Sequence, residues 1–293
     1  MKVAQPLVKM LVAGVYLASL SGCTENPFGE DKISPGSRQI SGSVQLHDGS
    51  SPEGVYVWLE SFNIGTYTDE NGRFQVTLPP PRSEGTPGGV SGVFDLYFYF
   101  ANYRLTSSRV IVGNGTFTYA KGDINKDGEL IGPKILTRFL NISTQVTPPV
   151  IGGDSDSTAY VKIYVKITLQ ATIDTVTVVF PRLAKDLVGH VFLRKLDSDE
   201  VFILTTNSVG YVTNSAELIG RSPYNRTMVF DLRPGAFSQG DYEVIPYLLV
   251  KHEIIPKELL ESLGPNVEEL GPNYLKIPFK REGGHFEVTD IKW

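Results

Sequence analysis

Val161-Lys162-Ile163-Tyr164-Val165-Lys166-Ile167-Thr168-Leu169-Gln170 alternates without a break: Val161, Ile163, Val165, Ile167 and Leu169 share one side, and Lys162, Tyr164, Lys166, Thr168 and Gln170 the other. A period of two sends successive side chains to opposite faces of an extended chain, so this is a strand with one face in a core and one in water. Five such apolar side chains, at about 1.5 to 3 kcal/mol each, anchor one wall of a sandwich core before chain entropy is subtracted.

Downstream, further strands are predicted at Thr175 to Phe180, His190 to Leu196, Val201 to Thr205, Arg226 to Leu232, Tyr242 to Val250, Tyr274 to Phe279 and Phe286 to Lys292. Their spacing, with Pro-Gly and Asp-Ser punctuation, suggests an immunoglobulin-like or related β-sandwich over residues 159–293. One short helix is expected at Pro256 to Leu263, where Pro256 suits a first turn and Gly264 a stop. Upstream, residues 141–158 hold Pro148-Pro149, Gly152-Gly153 and Asp154-Ser155-Asp156-Ser157, a composition that marks a linker.

Before that linker the period is again two. Ile40, Val44 and Leu46 fall on one face of a first strand; Val55, Val57 and Leu59 follow, with Tyr56, Trp58 and Glu60 opposite. Asn71-Gly72 supplies residues that tolerate positive φ, and Asp69 can bond its own backbone, so a tight hairpin is predicted between Thr68 and Phe74. Phe74, Val76 and Leu78 then alternate, as do Phe94, Leu96, Phe98 and Phe100, and Val110 to Val112 makes another strand. Between them, Pro79 to Gly92 reads as a Pro- and Gly-rich surface loop; no Lys-Ser or Lys-Thr follows its glycines, so it is no phosphate-binding loop.

Three stretches of this region, Ile40-Ser41-Gly42-Ser43-Val44, Pro52-Glu53-Gly54-Val55-Tyr56-Val57 and Thr68-Asp69-Glu70-Asn71-Gly72-Arg73-Phe74, resemble the carboxypeptidase regulatory-like domain. The resemblance covers roughly residues 38 to 80, and Phe98-Tyr99-Phe100-Ala101-Asn102-Tyr103-Arg104 looks like a later strand and turn of the same domain. It implies a transthyretin-like β-sandwich of about seven strands over residues 39–140, a non-catalytic module found beside enzymes and outer-membrane receptors. That family commonly has Gly where this chain has Asn102, and Asn is tolerated at a left-handed turn.

The start of the chain sets its expected address. Lys2 and Lys9 precede an apolar run from Met10 to Leu20 with no acidic residue upstream, the layout of a secretory leader over residues 1–22. Leu20-Ser21-Gly22-Cys23 resembles the bacterial lipobox, which implies cleavage before Cys23 and acylation of its thiol. Several acyl chains at about 0.8 kcal/mol per buried methylene would hold the mature chain on a membrane. Thr24 rather than Asp follows, which by resemblance to enterobacterial sorting favours the outer membrane. Residues 23–38, with Asn26-Pro27, Gly29 and Pro35-Gly36, read as a lipidated tether.

The chain of 293 residues carries a formal net charge of −5, and losing Lys2 and Lys9 makes it more acidic. That argues against nucleic acid as a partner. Cys23 is the single cysteine, so no disulfide forms within the chain and stability comes from cores.

Two sets of residues carry candidate chemistry. Asp123-Ile124-Asn125-Lys126-Asp127-Gly128-Glu129 places oxygen side chains at Asp123, Asn125, Asp127 and Glu129 with glycine at the sixth position, which resembles the opening of a calcium loop. Lys134 stands where the closing carboxylate belongs, and Gly132-Pro133 oppose an exiting helix, so a polar turn competes with a Ca2+ site. Tyr56, Trp58, Tyr97 and Tyr99 lie opposite the apolar sets and could offer a stacking platform to sugar or peptide; the alternative is packing against the 79–92 loop or the second domain. His47, His190, His252 and His285 show no metal-ligand spacing, there is no Gly-x-Ser-x-Gly elbow, and no catalytic residue is assigned. The expectation is an all-β, two-sandwich envelope lipoprotein that meets an envelope protein or glycan without catalysing a reaction. The competing expectations are an accessory or enzyme of envelope peptide or glycan processing, and a nutrient-capture lipoprotein.

Overall fold

Strand β1 (Gln39–Leu46) is the middle strand of the first of five sheets among the described residues, and its inward residues Ile40, Val44 and Leu46 are buried. The first lobe adds β2 (Tyr56–Leu59), β3 (Ile64–Tyr67), β4 (Arg73–Thr77), β5 (Gly92–Tyr99), β6 (Thr106–Gly113), β7 (Thr116–Phe117) and β8 (Lys134–Leu136). They form two sheets, ordered β4-β1-β8 and β3-β2-β5-β6-β7, with β1 antiparallel to β4 and parallel to β8. Their inner faces bury Phe74, Val76, Val57, Leu59, Leu96, Phe98 and Phe117 in one core. The protein is seen in a computed structural model, which describes residues 37–80, 89–153, 160–183, 187–198, 200–205, 212–251 and 255–291. Cys23, the leader, the tether to residue 36, the heart of the 79–92 loop and His252 lie outside the described residues.

The hairpin expected at Thr68–Phe74 is not one. Asp69 does set the turn: its Oδ1 accepts from the Asn71 amide at 3.0 Å and the Arg73 amide at 2.8 Å, and Gly72 takes φ 75°. The flanking strands β3 and β4, however, pair with β2 and β1, so the turn carries the chain from one sheet to the other. Turn chemistry fixes the local bend, not which strands become partners.

The second lobe comprises β9 (Leu140–Thr147), β10 (Val150–Gly153), β11 (Val161–Ala171), β12 (Val176–Leu183), β13 (Leu187–Val188), β14 (His190–Lys195), β15 (Val201–Thr205) and β16 (Val212–Ile219). It continues with β17 (Tyr224–Leu232), β18 (Gly240–Pro246), β19 (Leu249–Val250), helix α1 (Lys257–Leu263), a 3-10 turn at Pro272–Lys276, β20 (Glu282–Gly283) and β21 (His285–Ile291). The sheets run β17-β11-β9-β20, β10-β21-β18-β14-β15 and β13-β12-β16 with β19 on β12. Ile163, Val165, Ile167 and Leu169 of β11 are buried, and they meet Phe180, Val191, Leu193, Phe230, Tyr242 and Phe286 in a shared core. The architecture is all-β, built of packed sheets around two sandwich cores. Helix α1 begins one residue past Pro256 and stops at Gly264, whose φ of 149° favours glycine.

Three expectations are corrected. Residues 141–147 are not linker but strand β9, which pairs with β11 from Asn141↔Gln170 to Thr147↔Tyr164, and β10 pairs with β21. Leu140, Ile142, Thr144 and Val146 are its buried face, so the second lobe begins where the first ends. Residues 274–279 are not a strand: Tyr274 lies in the 3-10 turn, with the Ile277 amide bonded to its carbonyl. Strand β16 was not expected at all.

The lobes are joined by a third core. In β2 all four residues are buried: Val57 and Leu59 face the first core, while Tyr56 and Trp58 face the other way. In β14, Val191 and Leu193 face the second core and Phe192 turns outward to meet them. Tyr99, Ala101, Ile245, Tyr247, Leu259, Leu263, Tyr274 and Ile277 complete it. Phe192 stacks on Tyr274 at 5.2 Å, Tyr247 meets Tyr274 edge-on at 4.8 Å, and Tyr56 Oη lies 2.9 Å from Ser262 Oγ on α1. Rings of this size each bury on the order of 150–250 Å², so the contact is a core in its own right.

Polar groups close the same joint. Asn102, 0% exposed, donates through Nδ2 to the Leu140 and Lys280 carbonyls, both at 2.9 Å, and its Oδ1 accepts from the Lys280 amide at 3.0 Å. Its φ is not positive, so Asn stands here for its side-chain bonds rather than for tolerance of a left-handed turn. Nearby, Arg138 Nε lies 2.7 Å from Asp48 Oδ2 and 2.7 Å from the Tyr103 hydroxyl, with the guanidinium over the Tyr103 ring. Burial pushes the Asp48 carboxyl up, but hydrogen bonds from Ser50 and Tyr103 and the Arg138 charge outweigh it and hold the pKa below its ordinary value.

Candidate functional site

Where the lobes meet, a cleft of about 450 Å³ opens, lined by Glu53, Gly54, Tyr67 and Phe100 of the first lobe and by Arg194, Glu243, Ile245 and residues 275–281 of the second. The segment from Lys276 to Arg281 makes one wall. It is pinned to the first lobe by four bonds: Ala101 amide to the Pro278 carbonyl at 2.8 Å, Lys280 amide to Asn102 Oδ1, Asn102 Nδ2 to the Lys280 carbonyl, and Lys280 Nζ to the Ser51 carbonyl at 2.9 Å. Phe100, Ile245 and Ile277 are buried behind the lining, and Tyr67, Leu275, Pro278 and Phe279 present its apolar surface. The rim is cationic.

Arg194 and Glu243 sit opposite each other on β14 and β18, with Nε to Oε2 at 3.0 Å, and neutralise one another. Arg281 has no such partner among the described residues. Its guanidinium lies 4.1 Å over the Phe279 ring, Nη2 donates to the Tyr274 hydroxyl at 3.2 Å, and Nε is buried without any hydrogen bond. Tyr274 is itself fixed, donating to the Leu248 carbonyl at 2.8 Å and accepting from the Leu248 amide at 3.2 Å. The cleft thus sets positive charge beside apolar side chains.

The aromatic set lies elsewhere. Tyr56, Trp58 and Tyr99 are 5%, 2% and 3% exposed in the third core, so that face is covered by the second lobe and not presented to solvent. Tyr97 is half-buried, its ring 5.8 Å from that of Trp58. Burial raises the Tyr99 hydroxyl pKa far above its ordinary value, with the Glu268 charge adding to the effect.

The Asp123 loop is a turn held by its own atoms. Asn125 Oδ1 accepts from the Asp127 and Glu129 amides, both at 2.9 Å, and Ile124 bridges to Leu130. Asp123 Oδ2 takes the Arg109 amide and Lys134 Nζ, each at 3.2 Å. Burial raises its pKa, but the Lys134 hydrogen bond and charge prevail and lower it. Lys134, the residue that breaks the calcium pattern, thus puts an ammonium against the first ligand of that pattern. Among the described residues, no group of three or more His, Cys, Asp or Glu converges to hold a metal ion.

His190 is a buried histidine that no motif singles out. It is 4% exposed, packs edge-on to Tyr247 at 6.2 Å between ring centroids, and neither ring nitrogen has a hydrogen-bond partner. Burial lowers its pKa. The cleft has as little signature in the sequence: Lys276, Lys280 and Arg281 form no motif, and the one available signal is their interleaving with Ile277, Pro278 and Phe279.

No family model matches the sequence, and no curated protein is significantly similar to it. Structural likeness is found to the major pilin subunit BcpA of Bacillus cereus, at 12% identity and a TM-score of 0.26, covering 73% of this chain and 66% of the pilin, a little under two thirds of its length. The Bacillus anthracis TIE protein is similar at 8% identity and a TM-score of 0.22, over 74% of this chain and 48% of that one. At these scores neither likeness carries an argument about function. Among the described residues, no helix is long and apolar enough to cross a membrane.

Proposed function

We propose that the chain is a non-catalytic binding or scaffold module of the bacterial cell envelope, held through a lipid on Cys23 and offering a partner one rigid two-lobed body. The observation that carries this reading is the third core. Tyr56, Trp58 and Phe192 seal the lobes together, so the cleft keeps its shape and cannot open by hinge motion without exposing large rings. An enzyme that closes over its substrate needs the opposite construction. A preformed cleft suits binding, because little ordering entropy is lost when a ligand arrives. The outer membrane is the compartment proposed from Thr24, and an envelope protein or glycan is the partner.

The test is the fate of Cys23 in cells of the source bacterium. Intact-mass measurement of the purified chain should give a polypeptide beginning at an acylated Cys23, and Cys23→Ala should move the protein from the membrane to the soluble fraction. A chain that still begins at Met1, or an unmodified thiol, overturns the reading.

A further inference from the structure

We infer that the cleft between the lobes is a binding site for an oxyanion, carboxylate or phosphate, borne on an apolar body about the size of one ring and a short chain. This deepens the binding reading above and rests on it for the expectation that the cleft has an occupant.

Four cations and two carboxylates line the cleft, in a chain whose overall formal charge is −5. Arg194 and Glu243 cancel, and none of Lys276, Lys280 and Arg281 has a carboxylate within 4 Å among the described residues. The sharpest case is Arg281. A guanidinium whose Nε is sealed from water without a bond has lost hydration and gained one protein hydrogen bond, to Tyr274. Leaving a partly buried charge so poorly compensated is unfavourable unless an anion completes it. Stacking on Phe279 recovers part of that cost, and it also holds the plane of the guanidinium fixed. A fixed, planar cation with unused N–H groups is the arrangement that receives an oxyanion through paired hydrogen bonds. Lys276 and Lys280 stand at the rim to share the charge.

The apolar lining sets the rest of the ligand. Tyr67, Leu275, Pro278 and Phe279, all at least partly exposed, give an apolar surface beside the cations, so a bare ion would leave it wet while a ring would cover it. A volume of about 450 Å³ lies within the range of small-molecule sites.

The experiment titrates the full chain in detergent at low ionic strength with benzoate, phenyl phosphate, inorganic phosphate and benzyl alcohol, using calorimetry and amide chemical shifts. Benzoate or phenyl phosphate should bind about tenfold more tightly than either inorganic phosphate or benzyl alcohol, the size of one charge-assisted hydrogen bond. Shifts should gather at residues 276–281, and the affinity should fall as salt rises. The better of the two ring ligands tells carboxylate from phosphate. Arg281→Met should abolish the preference over benzyl alcohol. Because that change also alters packing on Phe279, exposed Lys276→Gln is the second variant, expected to weaken binding roughly threefold with an unchanged melting temperature. Equal binding of benzoate, phenyl phosphate and benzyl alcohol, or affinity untouched in both variants, overturns the inference. Neither result bears on Cys23, whose fate tests the envelope reading separately.

Discussion

Replacing Asn102 by alanine removes three hydrogen bonds at one stroke, two donated to the Leu140 and Lys280 carbonyls and one accepted from the Lys280 amide. Each such bond contributes about 0.5–1.5 kcal/mol net, and more where the abandoned partner stays dry, so the expected loss is about 3 kcal/mol. For a cooperative unit of this size, about 2–4 °C per kcal/mol translates that into a fall in Tm of roughly 6–12 °C. Urea unfolding should be followed by circular dichroism and, with Trp293→Phe as the background, by the fluorescence of Trp58, which lies in the joint itself. Both signals should move together and by the same amount, because the bonds tie Leu140 and Lys280 of one lobe to Asn102 of the other. Asn102→Asp, which sets a carboxylate against two carbonyl oxygens, should cost at least as much. A loss below about 0.5 kcal/mol, or an intact Trp58 transition beside a weakened circular dichroism one, refutes the reasoning.

Gly72→Ala should destabilise by at least about 1–2 kcal/mol, since φ of 75° disfavours any Cβ and the added carbon would collide with the Val44 carbonyl oxygen; urea unfolding measures it. His190 is neutral when folded, with its pKa lowered by burial from 6.5, so the unfolded chain binds the extra proton first. Stability should therefore hold above pH 6.5 and decline as the pH falls from there towards the depressed folded value, and His190→Phe should remove that part of the decline in a melting-temperature series. Treatment with EGTA should leave the melting temperature within about 1 °C, because Lys134 already neutralises Asp123; a larger fall would show that calcium holds the loop.

What could be read beforehand was set by which side of each strand carried the signal. In β1 and β11 one face is apolar and the other polar, so period, burial and strand agree. Strand β2 buries both faces, and its alternation of aliphatic with aromatic residues does not say whether Tyr56 and Trp58 await a ligand or a neighbouring lobe. That choice is made by Phe192 and Tyr274, more than 100 residues away. Strand β9 was hidden by the turn-forming composition that follows it, although Leu140, Ile142 and Val146 keep a period of two. Strand β16 was hidden by its own polarity: Asn214, Ser215 and Glu217 are tolerated because, among the described residues, β12 alone pairs with it. The Arg281 site was illegible since an unpaired cation differs from a solvated one only by what the fold packs around it.

The third core also governs how this chain could be inherited. A lobe transplanted alone would carry either Tyr56, Trp58 and Tyr99 or Phe192, Tyr247 and Tyr274 as a bare greasy face, inviting clumping. Exchange of one lobe without the other is therefore disfavoured at this junction. Gene duplication or fusion would have to take the pair.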